Sequence, residues 1–210
     1  MTSICNFNQE SDRMHTTIDR RTALARLGAL PAVAATPFLA SCAGPQVQGY
    51  AQEKPLLDLR TYFNGPVDAW GVFTDRSGQV VKRFTVRMDC SWQGDEGVLD
   101  EAFVYSDGTQ QRRIWRLQAG PNGTYTGRAD DVVGQATGQV SGNAFRWGYT
   151  LALPVDGRVW HVDFDDWMYL MDARVMLNKA TMSKWGVKLG EVTLSFTRRS
   201  PLPDATGKTP

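Results

Sequence analysis

Val80-Val81-Lys82-Arg83-Phe84-Thr85-Val86-Arg87-Met88-Asp89-Cys90-Ser91-Trp92 alternates in the way a β-strand requires. Its even positions (Val80, Lys82, Phe84, Val86, Met88, Cys90, Trp92) are mostly apolar; its odd positions (Val81, Arg83, Thr85, Arg87, Asp89, Ser91) are mostly polar. Successive strand side chains leave on opposite faces, so one face is buried and the other is wet. Phe145 to Leu153 repeats the pattern, with Phe145, Trp147, Tyr149, Leu151 and Leu153 set against Ala144, Arg146, Gly148, Thr150 and Ala152. A slip of one residue would exchange the faces, so register is well specified in both segments.

Between such runs stand short turn signals. They read Asp75-Arg76-Ser77-Gly78, Gly94-Asp95-Glu96-Gly97, Ser106-Asp107-Gly108, Gly120-Pro121-Asn122-Gly123, Ser141-Gly142-Asn143 and Pro154-Val155-Asp156-Gly157. Gly, Asn and Asp accept the positive φ of tight hairpins. No segment between them is long and periodic enough for a sizeable helix. The spacing predicts an all-β chain of about ten antiparallel strands. Closure into an up-and-down barrel removes every sheet edge, and a β-sandwich is the alternative. A membrane-spanning barrel is disfavoured, because Arg83, Arg87 and Asp89 would face lipid.

Ahead of the β region the sequence reads as an address. Leu39-Ala40-Ser41-Cys42 has the form of a lipobox: an aliphatic residue, two small residues and a cysteine that receives a diacylglycerol thioether. Asp19-Arg20-Arg21-Thr22-Ala23-Leu24 is similar to a twin-arginine export signal built on Arg20 and Arg21. The uncharged run Leu27 to Ala40 has the length of a signal-peptide core, about 7–15 residues, and is too short for a spanning helix of about 20. Pro31 and Pro37 oppose a buried helix there. Residues 1–13 are polar, and Met14 is an alternative start.

The expected organisation is a signal peptide over 1–41, a tether over 42–54, a barrel over 55–199 and a flexible tail over 200–210. Cys42 is the expected attachment point to a membrane. Ala43, in place of an aspartate, favours the periplasmic face of the outer membrane.

From Cys42 onward acidic and basic residues are equal in number. Nucleic-acid binding needs a basic stripe that this balance does not provide. The hydrophobic content of 42 % supports a real core. With Cys42 taken for lipidation, Cys90 is the one cysteine left in the mature part, so no intrachain disulfide forms there. Cys90 falls on the apolar strand face, as a small buried hydrophobe does.

His161-Val162-Asp163-Phe164-Asp165-Asp166-Trp167-Met168-Tyr169-Leu170, followed by Leu177-Asn178-Lys179-Ala180-Thr181-Met182-Ser183-Lys184-Trp185-Gly186, resembles the C-terminal signature of a proteobacterial lipoprotein family, domain-of-unknown-function family 3833. Tyr62-Phe63-Asn64-Gly65-Pro66, Trp70-Gly71, Gly127-Arg128-Ala129-Asp130-Asp131 and Leu153-Pro154-Val155-Asp156-Gly157 add to the resemblance, which covers nearly all of 55–199. It implies a lipocalin-like barrel attached to the envelope. It carries no residue-level activity.

Three carboxylates in four residues, Asp163, Asp165 and Asp166, invite a metal or acid–base reading. Alternation puts Asp163 and Asp165 with His161 and Trp167, and Asp166 with Phe164 and Met168. His161 is the only histidine after Cys42, which is too few N/S ligands for zinc. No Asp-x-Asp-x-Asp-Gly loop suggests calcium, and no Gly-x-Ser-x-Gly elbow suggests a hydrolase. No cofactor or metal is expected. The plainer reading is charge pairing, with Lys179, Lys184 and Arg174 opposite the aspartates.

Asp163, Asp165, Asp166, Trp167, Lys179, Lys184 and Trp185 are therefore ligand-binding candidates at a barrel mouth. Phe84, Val86, Met88, Trp115, Phe145, Trp147 and Tyr149 are expected to line the interior. Three functions follow. The first is a non-enzymatic module for a lipid or other apolar small molecule. The second is a structural or interaction lipoprotein with a filled barrel. The third is an envelope-lipid enzyme using His161 and the aspartates.

Overall fold

The computed structural model describes residues 44–155 and 157–200. Ten strands follow one another: β1 (Gly65–Asp75), β2 (Val80–Gln93), β3 (Glu96–Tyr105), β4 (Gln110–Ala119), β5 (Thr124–Arg128), β6 (Ala136–Ser141), β7 (Ala144–Val155), β8 (Arg158–Leu170), β9 (Val175–Lys184) and β10 (Val187–Arg198). Each pairs antiparallel with its neighbour in sequence, and β1 pairs with β10. The barrel is closed and up-and-down, the order that lipocalins also use. Closure removes the two free edge strands that an open sheet would have.

The alternation read in β2 is the alternation observed. Phe84, Val86, Met88 and Cys90 are buried, and Arg83, Thr85, Arg87 and Asp89 are exposed. A bulge between Phe73 and Thr74 of β1, which pair with Lys82 and Val80, breaks the pattern at the start of β2. Val80 and Val81 are accordingly both exposed. Burial pushes the Cys90 thiol far above its ordinary pKa, which makes it an inert core group.

One end of the barrel is closed by the chain that precedes β1. A single helical turn, α1 (Leu59–Tyr62), is capped by Asp58, whose side chain accepts from the Arg60 amide. The turn drops Leu59, Tyr62 and Phe63 into the barrel, each at most 3 % exposed. The Tyr62 hydroxyl donates to the Arg174 and Phe196 carbonyls at 2.9 and 3.2 Å. Arg198 donates from Nη1 to the Thr61 and Tyr62 carbonyls. Arg60 reaches Asp95 on the β2–β3 turn at 2.9 Å.

The wall has one irregular stretch. β5 and β6 pair with each other, but β5 reaches only the end of β4 and β6 only the start of β7. Residues 129–135 fill the gap. Val133 donates to the Thr150 carbonyl and Ala152 to that of Asp131, both on the β7 edge.

The tether expected over 42–54 is corrected in its later part. Val47–Tyr50 forms a 3-10 turn packed on the outer face of β6–β8. There it covers Ala144 and Trp167, and the Tyr50 ring lies 5.9 Å from that of Trp167. This apolar cover explains why Ala144, an outward residue of β7, is fully buried. The signal peptide with Arg20 and Arg21, the lipidation residue Cys42 and residues 201–210 of the tail lie outside the described residues.

Candidate functional site

The barrel encloses a cavity of about 190 Å³. Leu59 and Phe63 of the helical plug form its floor. All seven residues expected to line the interior do so: Phe84, Val86, Met88, Trp115, Phe145, Trp147 and Tyr149. Met168 and Met182 join them, whereas Met176 is fully buried in the wall packing. Several of the rings meet edge to face, as Trp115 and Tyr149 do at 5.4 Å. A barrel of this width leaves room for one small ligand.

A polar cluster interrupts the apolar lining at mid-height. Glu101 of β3, Arg113 of β4, Tyr149 of β7, Asp166 of β8 and Asn178 of β9 all face the cavity. Each sits there by strand parity: Glu101 between Leu99 and Phe103, Arg113 between Gln111 and Trp115, Asp166 between Phe164 and Met168. Asn178 donates to Asp166 Oδ1 and, at 3.0 Å, to the Trp167 carbonyl. The Tyr149 hydroxyl donates to Asp166 Oδ2 at 3.3 Å.

Arg113 is chelated by Asp131, from Nε to both carboxylate oxygens at 3.0 Å and from Nη2 at 2.6 Å. That pair pins the 129–135 segment to β4. Glu101 stands opposite Arg113 in the β3–β4 ladder, yet its carboxylate has no hydrogen-bond or ion-pair partner among the described residues.

Burial dominates the acid–base character of this cluster. It pushes the Glu101 carboxyl up to about 7; Arg113 opposes the shift, and Asp131, Asp166 and Asp100 add to it. Burial likewise pushes Asp166 up to about 6, against the hydrogen bonds from Asn178 and Tyr149. For Arg113 burial acts against the charge, but the bonds to Asp131 and the nearby Glu101 outweigh it and the pKa is raised. Tyr149 is raised well above its ordinary value, first by burial and then by Asp166.

Of the ligand-binding candidates read from sequence, only Asp166 faces the cavity. Asp163, Asp165 and Trp167 are on the outer face of β8, where strand parity puts them. Asp163 accepts from Thr150 Oγ1 at 2.7 Å. Asp165 pairs with Arg146 of β7 at 2.7 Å, and Trp167 Nε1 donates to Asp165 at 3.4 Å.

The expected pairing of the aspartates with Lys179, Lys184 and Arg174 is corrected. The β8–β9 register sets Asp163, Asp165 and Asp166 opposite Ser183, Thr181 and Ala180. Lys179 instead pairs with Glu191 at 3.1 Å. Lys184 Nζ stands over the Trp160 and Trp185 rings at 4.4 and 4.8 Å. Trp185, at φ 52 in the β9–β10 turn, is 89 % exposed and lines no cavity. His161 is exposed on the outer face and reaches neither the cavity nor a nucleophile. Among the described residues no three His, Cys, Asp or Glu side chains gather as a metal site.

Sequence reasoning missed Glu101 and Arg113. The signal available was their placement among apolar residues of the same parity, Leu99-x-Glu101-x-Phe103 and Arg113-x-Trp115-x-Leu117.

Fold and site together define a closed antiparallel barrel with a mixed apolar and polar internal cavity. The chain belongs to the family described as "Protein of unknown function (DUF3833)", whose profile matches residues 36–198. No curated protein matches it. Among solved structures it is similar to apocrustacyanin C2 and to lobster apocrustacyanin A1, each with 14 % identity and a TM-score of 0.34. It is similar also to apocrustacyanin C1, with 12 % identity and a TM-score of 0.33. Each match covers 70 % of this chain and 66 % of the other.

Proposed function

We propose that the protein is a lipoprotein of the cell envelope, acylated at Cys42, whose barrel binds a lipid or other apolar small molecule without transforming it. One observation carries the binding reading: a cavity of about 190 Å³, apolar on most of its wall and floored by the α1 plug. An engineered apolar cavity of about 150 Å³ suffices for benzene. The cavity also speaks against a barrel filled by its own side chains.

Membrane attachment rests on the lipobox at 39–42 and on the end of the barrel opposite α1. Two adjacent hairpin tips there expose Val159, Trp160, Trp185 and Val187, with Arg158, Lys184 and Lys188 beside them. Exposed tryptophan and valine flanked by basic residues suit an anionic bilayer surface. The periplasmic face of the outer membrane is the proposed location, and two or more acyl chains at Cys42 suffice for stable attachment.

Native mass spectrometry of the gently purified protein is the test. A co-purifying apolar adduct, or uptake of added fatty alcohols, phospholipids or other amphiphiles, is expected. A protein that arrives empty and takes up none of them refutes the binding reading. Mass analysis of the mature N-terminus tests the anchor separately: an unacylated chain that still begins before Cys42 refutes it.

A further inference from the structure

We propose that the cavity's ligand is an amphiphilic amine, its cationic head held between the Glu101 and Asp166 carboxylates and its chain lying along the aromatic wall. This rests on the binding reading above and adds a ligand class to it.

The first observation is Glu101. It is 9 % exposed, its side chain faces the cavity, and no group among the described residues donates to it. Its carboxylate oxygens are open to the cavity and not sealed in the wall, so a donor to them comes from the cavity side. The second is Asp166, 5 % exposed, on β8 rather than on the β3–β4 side of the wall. Its bonds from Asn178 and Tyr149 fix the carboxylate in one orientation toward the cavity. Glu101 and Asp166 both line the same cavity.

The third observation is what Arg113 cannot do. It is the only Lys or Arg among the residues lining the cavity, and Asp131 already holds it by two of its nitrogens. An anionic head such as a fatty-acid carboxylate would meet Glu101 and Asp166 with that one cation committed to Asp131. A neutral alcohol would leave the carboxylates uncompensated. An ammonium group offsets the charge of one of the two cavity carboxylates, can be shared between them, and also favours the surrounding ring faces, Trp115, Tyr149 and Phe103.

The test is calorimetric titration of the full chain, held in amphipol, with octylamine, octan-1-ol and octanoate. Octylamine is expected to bind about tenfold or more tightly than either of the others, the contribution of hydrogen bonds to charged groups. Glu101→Gln should bring octylamine to within about threefold of octan-1-ol.

A measurement on the wild-type chain guards against misfolding of the variant. Octylamine stays protonated below about pH 10. Its affinity should therefore rise from pH 5 to pH 8 as Glu101 and Asp166 ionise, while that of octan-1-ol does not rise. The groups facing this pair are Arg113, Asp131, Tyr149 and Tyr105, and none of them supplies a second free cation. Equal or tighter binding of octanoate or octan-1-ol, or an amine preference that survives Glu101→Gln, overturns the proposal while the binding reading stands. Failure of all three compounds overturns both.

Discussion

Glu101→Gln should stabilise the empty protein at neutral and alkaline pH. Glutamine keeps the volume and hydrogen-bonding shape of the side chain and removes its charge. In the unfolded chain this carboxyl ionises near the ordinary 4.5; in the barrel it is pushed up to about 7. Below pH 4.5 both states are protonated, and the variant should match the wild type. Between 4.5 and 7 the unfolded state releases the proton first, so wild-type stability falls as pH rises. Above 7 the full penalty is present. The gap between 4.5 and about 7 converts to about 3 kcal/mol. The attraction of Arg113 is already contained in that gap.

The assay is urea denaturation of both proteins at pH 4, 6 and 8, followed by fluorescence. The expected gain from substitution is near zero at pH 4 and about 2–3 kcal/mol at pH 8, with an unchanged denaturant slope. In thermal unfolding, about 3 kcal/mol corresponds to a rise of about 6–12 °C for a chain of this size. Asp166 remains in both proteins, so its own pH dependence cancels in the difference. A variant less stable than wild type at pH 8, or a gain of the same size at pH 4, would show that Glu101 is not held uncompensated in the wall.

Four further outcomes are expected. Asn178→Leu removes the donor to Asp166 and the Trp167 carbonyl, and should lower stability by about 1–3 kcal/mol in denaturant titration at pH 8, with a smaller loss at pH 4. Tyr62→Phe removes the hydroxyl donor to the Arg174 and Phe196 carbonyls, the first of which keeps the Arg198 amide, and should cost about 1 kcal/mol by the same measurement. Gly142→Ala would drive a methyl group into the Tyr50 carbonyl at a residue with φ +58; limited proteolysis should then cut within 44–53 while circular dichroism retains the β signal. Trp185→Ser with Val187→Ser should weaken sedimentation of the protein with anionic vesicles severalfold, without shifting its melting temperature by more than about 2 °C, because neither side chain is part of the core.

The strands were legible because one face of each had to be dry. β2 and β7 are long enough for period-two alternation to fix their faces, and six glycine-bearing turns mark hairpins along the chain. The fault lay in adjacent residues of β8. Asp165 and Asp166 are neighbours in sequence and opposite in the wall: one pairs with Arg146 on the surface and the other meets Asn178 inside. Parity separates the two, but their partners depend on inter-strand register, which a single chain does not display. Lys179 and Lys184 were assigned to the aspartates from their distance along a hairpin, whereas the ladder gives Lys179 to Glu191. The Val47–Tyr50 turn was hidden for a different reason. Four residues bury one valine there, too little apolar content to stand out in a polar stretch.

Glu101 and Arg113 show why a binding site is harder to read than a core. A buried charge is recognisable in sequence only as an exception to the apolar alternation of its strand, and β4 opens with Gln110-Gln111-Arg112-Arg113, where one more charge does not stand out. The structure resolves the ambiguity by what each charge lacks. Arg112 pairs with Asp100 on the outside and Arg113 with Asp131 at the wall, so both arginines are accounted for. Glu101, directly opposite Arg113, is left over. Stability alone would favour an apolar residue in its place, since replacing uncompensated buried charge with well-packed apolar groups commonly stabilises a fold. On the amine proposal, the opposite signs expected for Glu101→Gln, higher stability when empty and weaker amine binding, follow from one carboxylate facing the cavity with no donor among the described residues.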